Sequence, residues 1–246
     1  MNKGLSKLKV SFDKMENFLF GSHSCICCKH ECDQDNELRL CSKCLENIPF
    51  TKDNYCLRCG EIINGNYDYC INCKNHEYEF DRARSVFAYT PYTSPMIMRF
   101  KYNGYKSYAP YLAKLLVNYY STSDLIVDVV TFVPMPVKRE KARGYNQAKE
   151  LCREFSLLSG LPMIDCLVRI KDNFKQSTLN AKERAENIKG SFACINKQLV
   201  KNKDILIIDD VLTTGATANE CAKVLNRAGA RSVSVLSLAK TPSNNI

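Results

Sequence analysis

Residues 204–220 read DILIIDDVLTTGATANE, so an apolar run leads straight into the carboxylates of Asp209 and Asp210 and then into a loop of Thr and Gly. Two adjacent carboxylates at a strand exit suit the neighbouring hydroxyls of a ribose, directly or through Mg²⁺. They would repel a phosphate, so a phosphate belongs to the loop that follows. The backbone N–H groups of residues 213–217 and the dipole of the next helix suit a phosphate dianion. Gly215 permits close approach, Val211 and Ala216 flank it, and the hydroxyls of Thr213, Thr214 and Thr217 add donors. The pattern reads a ribose 5-phosphate. The plainer alternative is an acid pair capping the next segment above an ordinary Thr loop. A Walker-type loop is excluded, because no Gly-Lys-Ser/Thr occurs.

A second kind of chemistry sits near the N-terminus. Ten of the fourteen cysteines fall between Cys25 and Cys73, and eight of them form the C-x-x-C pairs Cys25/Cys28, Cys41/Cys44, Cys56/Cys59 and Cys70/Cys73. Two thiolates at that spacing can take adjacent corners of a tetrahedron, and Zn²⁺ needs four sulfurs at about 2.3 Å. Two structural zinc sites in consecutive ribbons are expected. Which pairs share a metal is open at this level, and Cys27, Cys32 and His30 blur the first ligand set. A segment with so few large apolar residues needs metal to fold.

Composition bounds the rest. The chain has 246 residues, 45% of them apolar and 25% charged, which describes ordinary globular protein. No apolar run reaches the roughly 18 residues of a membrane span. Leu5, Leu8, Phe12, Met15 and Leu19 recur at helical spacing, so residues 1–20 read as an amphipathic docking helix and not a targeting peptide. A cytoplasmic location is expected. The net charge of +9 is uneven: residues 1–80 hold 10 Lys/Arg against 12 Asp/Glu, and residues 81–246 hold 25 against 14. A basic C-terminal region suits an anionic partner or a solvated surface. All three histidines lie at or before His76, so chemistry beyond that point proceeds without imidazole.

The elements that must position these residues alternate. Strands are expected over 82–89, 128–133, 163–170, 204–209 and 232–238, and helices over 95–100, 108–120, 146–158 and 217–227, with Gly229 as a C-cap. Residues 138–147 read as a basic loop. Alternation of this kind indicates a parallel sheet covered by helices on both faces. The organisation expected is a docking helix over 1–20, a double zinc ribbon over 21–80 and an α/β domain over 81–246.

The stretch 205–217 resembles the signature of type I phosphoribosyltransferases. Residues 133–137 (VPMPV), 138–147 (KREKARGYNQ), 176–187 (QSTLNAKERAEN), 190–192 (GSF) and 100–104 (FKYNG), behind paired cysteine knuckles, resemble the ComF family of competence-associated proteins. The resemblance implies a type I phosphoribosyltransferase-like sheet and a site for phosphoribosyl pyrophosphate with Mg²⁺. It implies diol contacts from Asp209 and Asp210 and a 5-phosphate loop at residues 213–217. It also implies a part in DNA uptake, with single-stranded DNA and other competence proteins as partners.

Displacing pyrophosphate from a sugar passes through a cation-like ring, so catalysis is mainly positioning and charge neutralisation. Arg143, with Lys138, Arg139, Gly144 and Asn146, stands in the loop expected to meet the pyrophosphate, the alternative being a solvated basic loop. Residues 171–184 read as a lid with Gln176 and Arg184 as contacts, and Lys101 and Tyr102 as ligand contacts or packing. Three functions stay open: phosphoribosyl transfer, sugar-phosphate sensing without catalysis, and handling of single-stranded DNA.

Overall fold

The computed structural model describes residues 24–242 except 33–35, 52–53, 64, 66, 103 and 172–180, with the backbone alone at 181, 182, 184 and 185. The docking helix expected over 1–20, most of the expected lid and Gln176 lie outside that set.

The paired cysteines gather into two groups. Cys25, Cys28, Cys41 and Cys44 form one and Cys56, Cys59, Cys70 and Cys73 the other, with the sulfurs of each within 4.8 Å of one another. Consecutive pairs therefore share a site. In each group the first pair lies on a turn closed by an antiparallel bridge, Ser24 to Glu31 or Tyr55 to Ile62. The second pair brackets the start of a short helix, α1 (Ser42–Asn47) or α2 (Ile71–Asn75), whose N-cap is Cys41 or Cys70. Cys28 and Cys41 approach to 3.6 Å and Cys59 and Cys70 to 3.7 Å. Such spacings fit the edge of a tetrahedron with metal–sulfur bonds of about 2.3 Å.

The body begins with β1 (Arg82–Ala88), α3 (Ser94–Tyr102) and α4 (Ala109–Thr122). Next come β2 (Val129–Phe132), α5 (Val137–Arg143) and α6 (Gln147–Ser159). A short pair, β3 (Leu167–Arg169) and β4 (Phe192–Cys194), flanks α7 (Ala181–Ile188). The chain closes with β5 (Asp204–Leu212), α8 (Ala216–Arg227) and β6 (Ser232–Lys240). The main sheet is parallel, in the order β1-β6-β5-β2. Ile205, Leu206, Ile207 and Ile208 are fully buried, as expected of a central strand covered on both faces. Helices α4 and α6 pack on each other, whereas α8 packs on β5, β6, β4 and α7. Right-handed crossovers place α8 on the opposite face, because the step from β5 to β6 reverses the direction of the step from β1 to β2.

Three expectations are corrected. Residues 138–147 are not a plain loop: α5 occupies Val137–Arg143, entered from Pro136 and closed at Gly144, whose φ of 91° suits glycine. Residues 163–170 do not form a strand of the main sheet. Met163 makes one parallel bridge to Val130, and β3 then pairs antiparallel with β4. Asp165, exposed and 3.0 Å from Lys149, breaks the apolar run that a buried strand would need. Finally, β5 continues past Asp209 to Leu212 by pairing with β6.

The first cysteine group is continuous with the main core, where Cys25, Ile26, Leu40 and Cys44 are buried with the sheet residues. The segment between the groups covers the free edge of β1: Thr51 N–H donates to Val86 at 2.9 Å and Ala88 N–H to Pro49 at 3.0 Å. Ala83 N–H donates to Arg58 of the second group. An edge that would otherwise invite pairing with another chain is thereby closed. Buried Arg84 fastens the second group with bonds to Asp124 and to the Leu57 carbonyl (2.9 Å), its guanidinium 4.8 Å from the Tyr55 ring centre.

Candidate phosphoribosyl-binding site

The sheet opens into a cleft for a local reason. The β2 ladder follows β5 as far as Val133, whose N–H donates to Ile208 at 3.2 Å. Pro134 comes next and has no N–H to continue the ladder. From Asp209 onward β5 is paired only on its β6 side, and the freed side faces an open cleft of ≈ 750 Å³. Asp209, Asp210, Val211, Thr213, Gly215 and Thr217 all line it.

The acid pair and Lys101 form one network. Asp210 N–H donates to Asp209 Oδ1 at 2.8 Å, and Lys101 Nζ lies 2.9 Å from Asp210 Oδ1. Burial and the adjacent Asp210 charge push the Asp209 carboxyl up to about 7, against the pull of Lys101 and of that N–H. Burial also works against the Lys101 ammonium, but the two aspartates outweigh it and hold its pKa above the ordinary lysine range.

Arg139, Arg143 and Arg169 line the same cleft as the acids. Arg143 donates to Gln147 Oε1 at 2.6 Å and lies 4.6 Å from the Tyr102 ring centre. Gln147 in turn donates to the Lys101 carbonyl at 3.3 Å, and the Tyr145 hydroxyl donates to the Phe100 carbonyl. The C-terminus of α3, which carries Lys101, is thus hung from residues 145–147. Four cations and two carboxylates line the cleft, which therefore suits a ligand with several negative charges.

The remaining sequence-predicted residues divide. Asn146 lines the cleft with both ends of its amide engaged: Oδ1 caps α6 through Ala148 N–H (3.0 Å) and Nδ2 donates to the Val133 carbonyl (3.1 Å). It fixes the turn after β2. Gly144 ends α5, while Lys138 and Lys141 are exposed to solvent outside the cleft lining. The Thr214 hydroxyl accepts from Ala216 N–H at 3.4 Å, which turns it toward the start of α8. Arg184 lies on α7, its side chain outside the described set. Arg169 and Gln147 were not singled out from the sequence. Arg169 left one trace, a basic residue in the otherwise apolar residues 166–170. Gln147 left none, because a glutamine at the start of a helix is unremarkable.

The cysteine groups suit metal by their donors as well. Burial opposes ionisation of Cys25, but backbone N–H groups of Cys28, Cys41 and Cys27 outweigh it and bring the thiol down to about 6. Cys59, Cys73 and backbone N–H groups hold Cys56 far below the ordinary thiol range. Four sulfurs gathered within 4.8 Å in each group fit two structural Zn²⁺ ions. No helix among the described residues is long and apolar enough to cross a membrane.

Comparison with known proteins agrees with this geometry. The phosphoribosyl transferase domain family matches residues 141–245. Competence protein F of Haemophilus influenzae is 31% identical over 210 residues, which cover 82% of this chain and 90% of that protein. The DNA utilization protein YhgH of Escherichia coli K12 is 29% identical over 208 residues, covering 82% and 90%. Competence protein ComFC of Streptococcus pneumoniae is 28% identical over 208 residues, covering 82% and 87%. A sheet that opens beside paired aspartates, two four-cysteine groups and this degree of likeness lead to one conclusion: the chain belongs to the ComF family of competence and DNA-utilization proteins with a phosphoribosyl transferase domain.

Proposed function

We propose that the cleft at the end of β5 binds phosphoribosyl pyrophosphate together with Mg²⁺. Asp209 and Asp210 receive the ribose hydroxyls, the loop over 213–217 receives the 5-phosphate, and Arg143, with Arg139, Arg169 and Lys101, faces the pyrophosphate. The observation that carries this reading is convergence: the acid pair, the Thr/Gly loop and the basic residues of α3, α5 and β3 meet in one cleft. The donor set suits Mg²⁺, which binds through one or two carboxylates and completes its shell with substrate oxygens and water. When bound, Mg²⁺ would neutralise charge on the leaving pyrophosphate.

The chain's own part in phosphoribosyl transfer is positioning. A fixed diol and a fixed 5-phosphate present C1 of the sugar to an acceptor, and guanidinium groups stabilise the departing pyrophosphate without a proton-transfer residue. This accounts for a site free of histidine. Relatives named for competence and for DNA utilization support a role with DNA, so single-stranded DNA and other competence proteins are the partners we propose. Lys138 and Lys141, exposed on the helix that carries Arg139 and Arg143, are the cations we propose for the phosphates of such a strand.

Titration calorimetry tests the assignment. The intact protein with Mg²⁺ gives saturable binding of phosphoribosyl pyrophosphate, and Asp209→Asn with Asp210→Asn weakens it by at least roughly 100-fold, the scale of two lost charge-assisted contacts. Equal affinity in the double variant would remove the acid pair from the site.

A further inference from the structure

The phosphate loop is held from behind. Lys240 Nζ, on β6, lies 3.5 Å from the Thr213 carbonyl and 3.2 Å from the Glu61 carboxylate in the second cysteine group. The Tyr78 hydroxyl donates to the Thr214 carbonyl at 3.4 Å. Tyr78 packs against the second cysteine group and stacks on Phe80 with ring centres 4.6 Å apart. Both rings sit under Gly215, where a Cβ would meet Tyr78 at 3.4 Å and Phe80 at 3.7 Å. The adjoining Glu79 N–H donates to Asn219 of α8 at 2.6 Å, and Asn226 donates to the Glu79 carbonyl at 2.7 Å. The end of the cysteine segment is thus clamped to the loop and to the helix after it.

Peptide geometry gives these bonds a consequence. In a trans peptide the C=O and N–H point in opposite directions. The carbonyl of Thr213 shares its peptide with the N–H of Thr214, and that of Thr214 with the N–H of Gly215. Two carbonyls drawn toward Lys240 and Tyr78 therefore turn two N–H groups the other way, toward the cleft that Thr213 and Gly215 line. Among the described residues neither N–H has a backbone acceptor. Gly215, at φ 79°, allows the chain to enter α8 from that arrangement. Preset donors of this kind need no reorganisation when an anion arrives.

We propose that Tyr78 and Lys240 are positioning residues for the phosphate loop, and that through them the second cysteine group sets the affinity of the cleft for the 5-phosphate. The inference rests on the assignment of residues 213–217 to that phosphate. Neither residue lines the cleft. Glu61 matters because it keeps the Lys240 ammonium at the junction, where both side chains are only 11% exposed.

The test uses the full chain with two zinc ions confirmed by elemental analysis, ribose 5-phosphate as the probe in calorimetry, and amide resonances of the ligand-free protein. Lys240→Met weakens ribose 5-phosphate roughly tenfold and Tyr78→Phe roughly threefold, the scale of one hydrogen bond each, and Lys240→Arg recovers part of the loss. In both weakened variants the amide resonances of Thr214 and Gly215 shift while those of Gly160 and Gly229 stay in place. Unchanged affinity with unmoved loop resonances overturns the inference and leaves the proposed site standing. Shifts spread over the whole spectrum overturn it too, as general damage. Failure of the unaltered protein to bind ribose 5-phosphate or phosphoribosyl pyrophosphate removes the function reading itself, and the inference with it.

Discussion

The two cysteine groups have the same chemistry and the same C-x-x-C spacing, yet the fold uses them differently. The first is sunk into the main core. Arg99 of α3 donates to the carbonyls of Cys27 (2.7 Å) and Ile26 (3.2 Å), and the Tyr92 hydroxyl reaches Cys44 Sγ at 3.1 Å. The second forms a small core of its own from Cys56, Cys59 and Cys73, with Ile63, Cys70 and Tyr78 packed on it. Its outer side is apolar and exposed at Leu57, Ile62, Tyr67 and Ile71. One cysteine group is therefore part of the foundation, and the other is a bracket between the sheet edge and the loop over 213–217. Identical ligand sets do different work when the surfaces around them differ.

The comparison breaks most sharply at the cysteines themselves. Cys25→Ser removes a ligand from inside the main core, so the midpoint of thermal unfolding falls by more than about 10 °C and cooperativity suffers. Cys73→Ser loses one zinc by elemental analysis, but the body still melts cooperatively with a smaller fall. Equal damage from the two variants would erase the distinction between foundation and bracket. A smaller effect is expected at the junction. Arg84→Met leaves the Leu57 carbonyl unpaired and frees the second group from the sheet, costing about 2–3 kcal/mol in urea unfolding. A change within a few tenths would mean that the edge contacts along β1 hold the group alone.

The smallest expected effect concerns pH. Asp209 ionises near 3.8 in an unfolded chain and at about 7 in the folded one. Between those values the folded chain holds the proton longer, so stability declines as pH rises through that window. Asp209→Asn removes this slope and raises the melting midpoint by a few degrees at pH 8. An unaltered slope would place the titration elsewhere. In the intact protein, affinity for phosphoribosyl pyrophosphate with Mg²⁺ should climb from pH 6 to pH 8 as Asp209 ionises, which calorimetry at three pH values would read.

Much of this was legible in local order. The apolar run before Asp209 announced a buried strand, because an uninterrupted series of β-branched and leucine residues suits a strand covered on both sides. Asn146 and Gly160 marked the ends of α6 through ordinary capping chemistry. The basic segment after Pro136 misled because alternating Lys, Arg and Glu reads as solvated loop, whereas about two turns of charge on one short helix serve equally well. Lys101 was ambiguous, since nothing local states that the end of α3 will meet β5.

By itself the sequence determined the carriers of the chemistry: an adjacent acid pair at a strand exit, a Thr/Gly loop after it, eight paired thiols and a C-terminal region rich in cations. These follow from residue types a few positions apart, where backbone geometry leaves little choice. Only the tertiary structure decided which cysteine pairs join, that Lys101 and Arg169 enter the cleft, and that Tyr78 and Lys240 stand behind the loop. Tyr78 lies 136 positions from Thr214, and no short-range pattern encodes a meeting at that separation. It is fixed by burial of the sheet edge and by the packing of the second cysteine group against it.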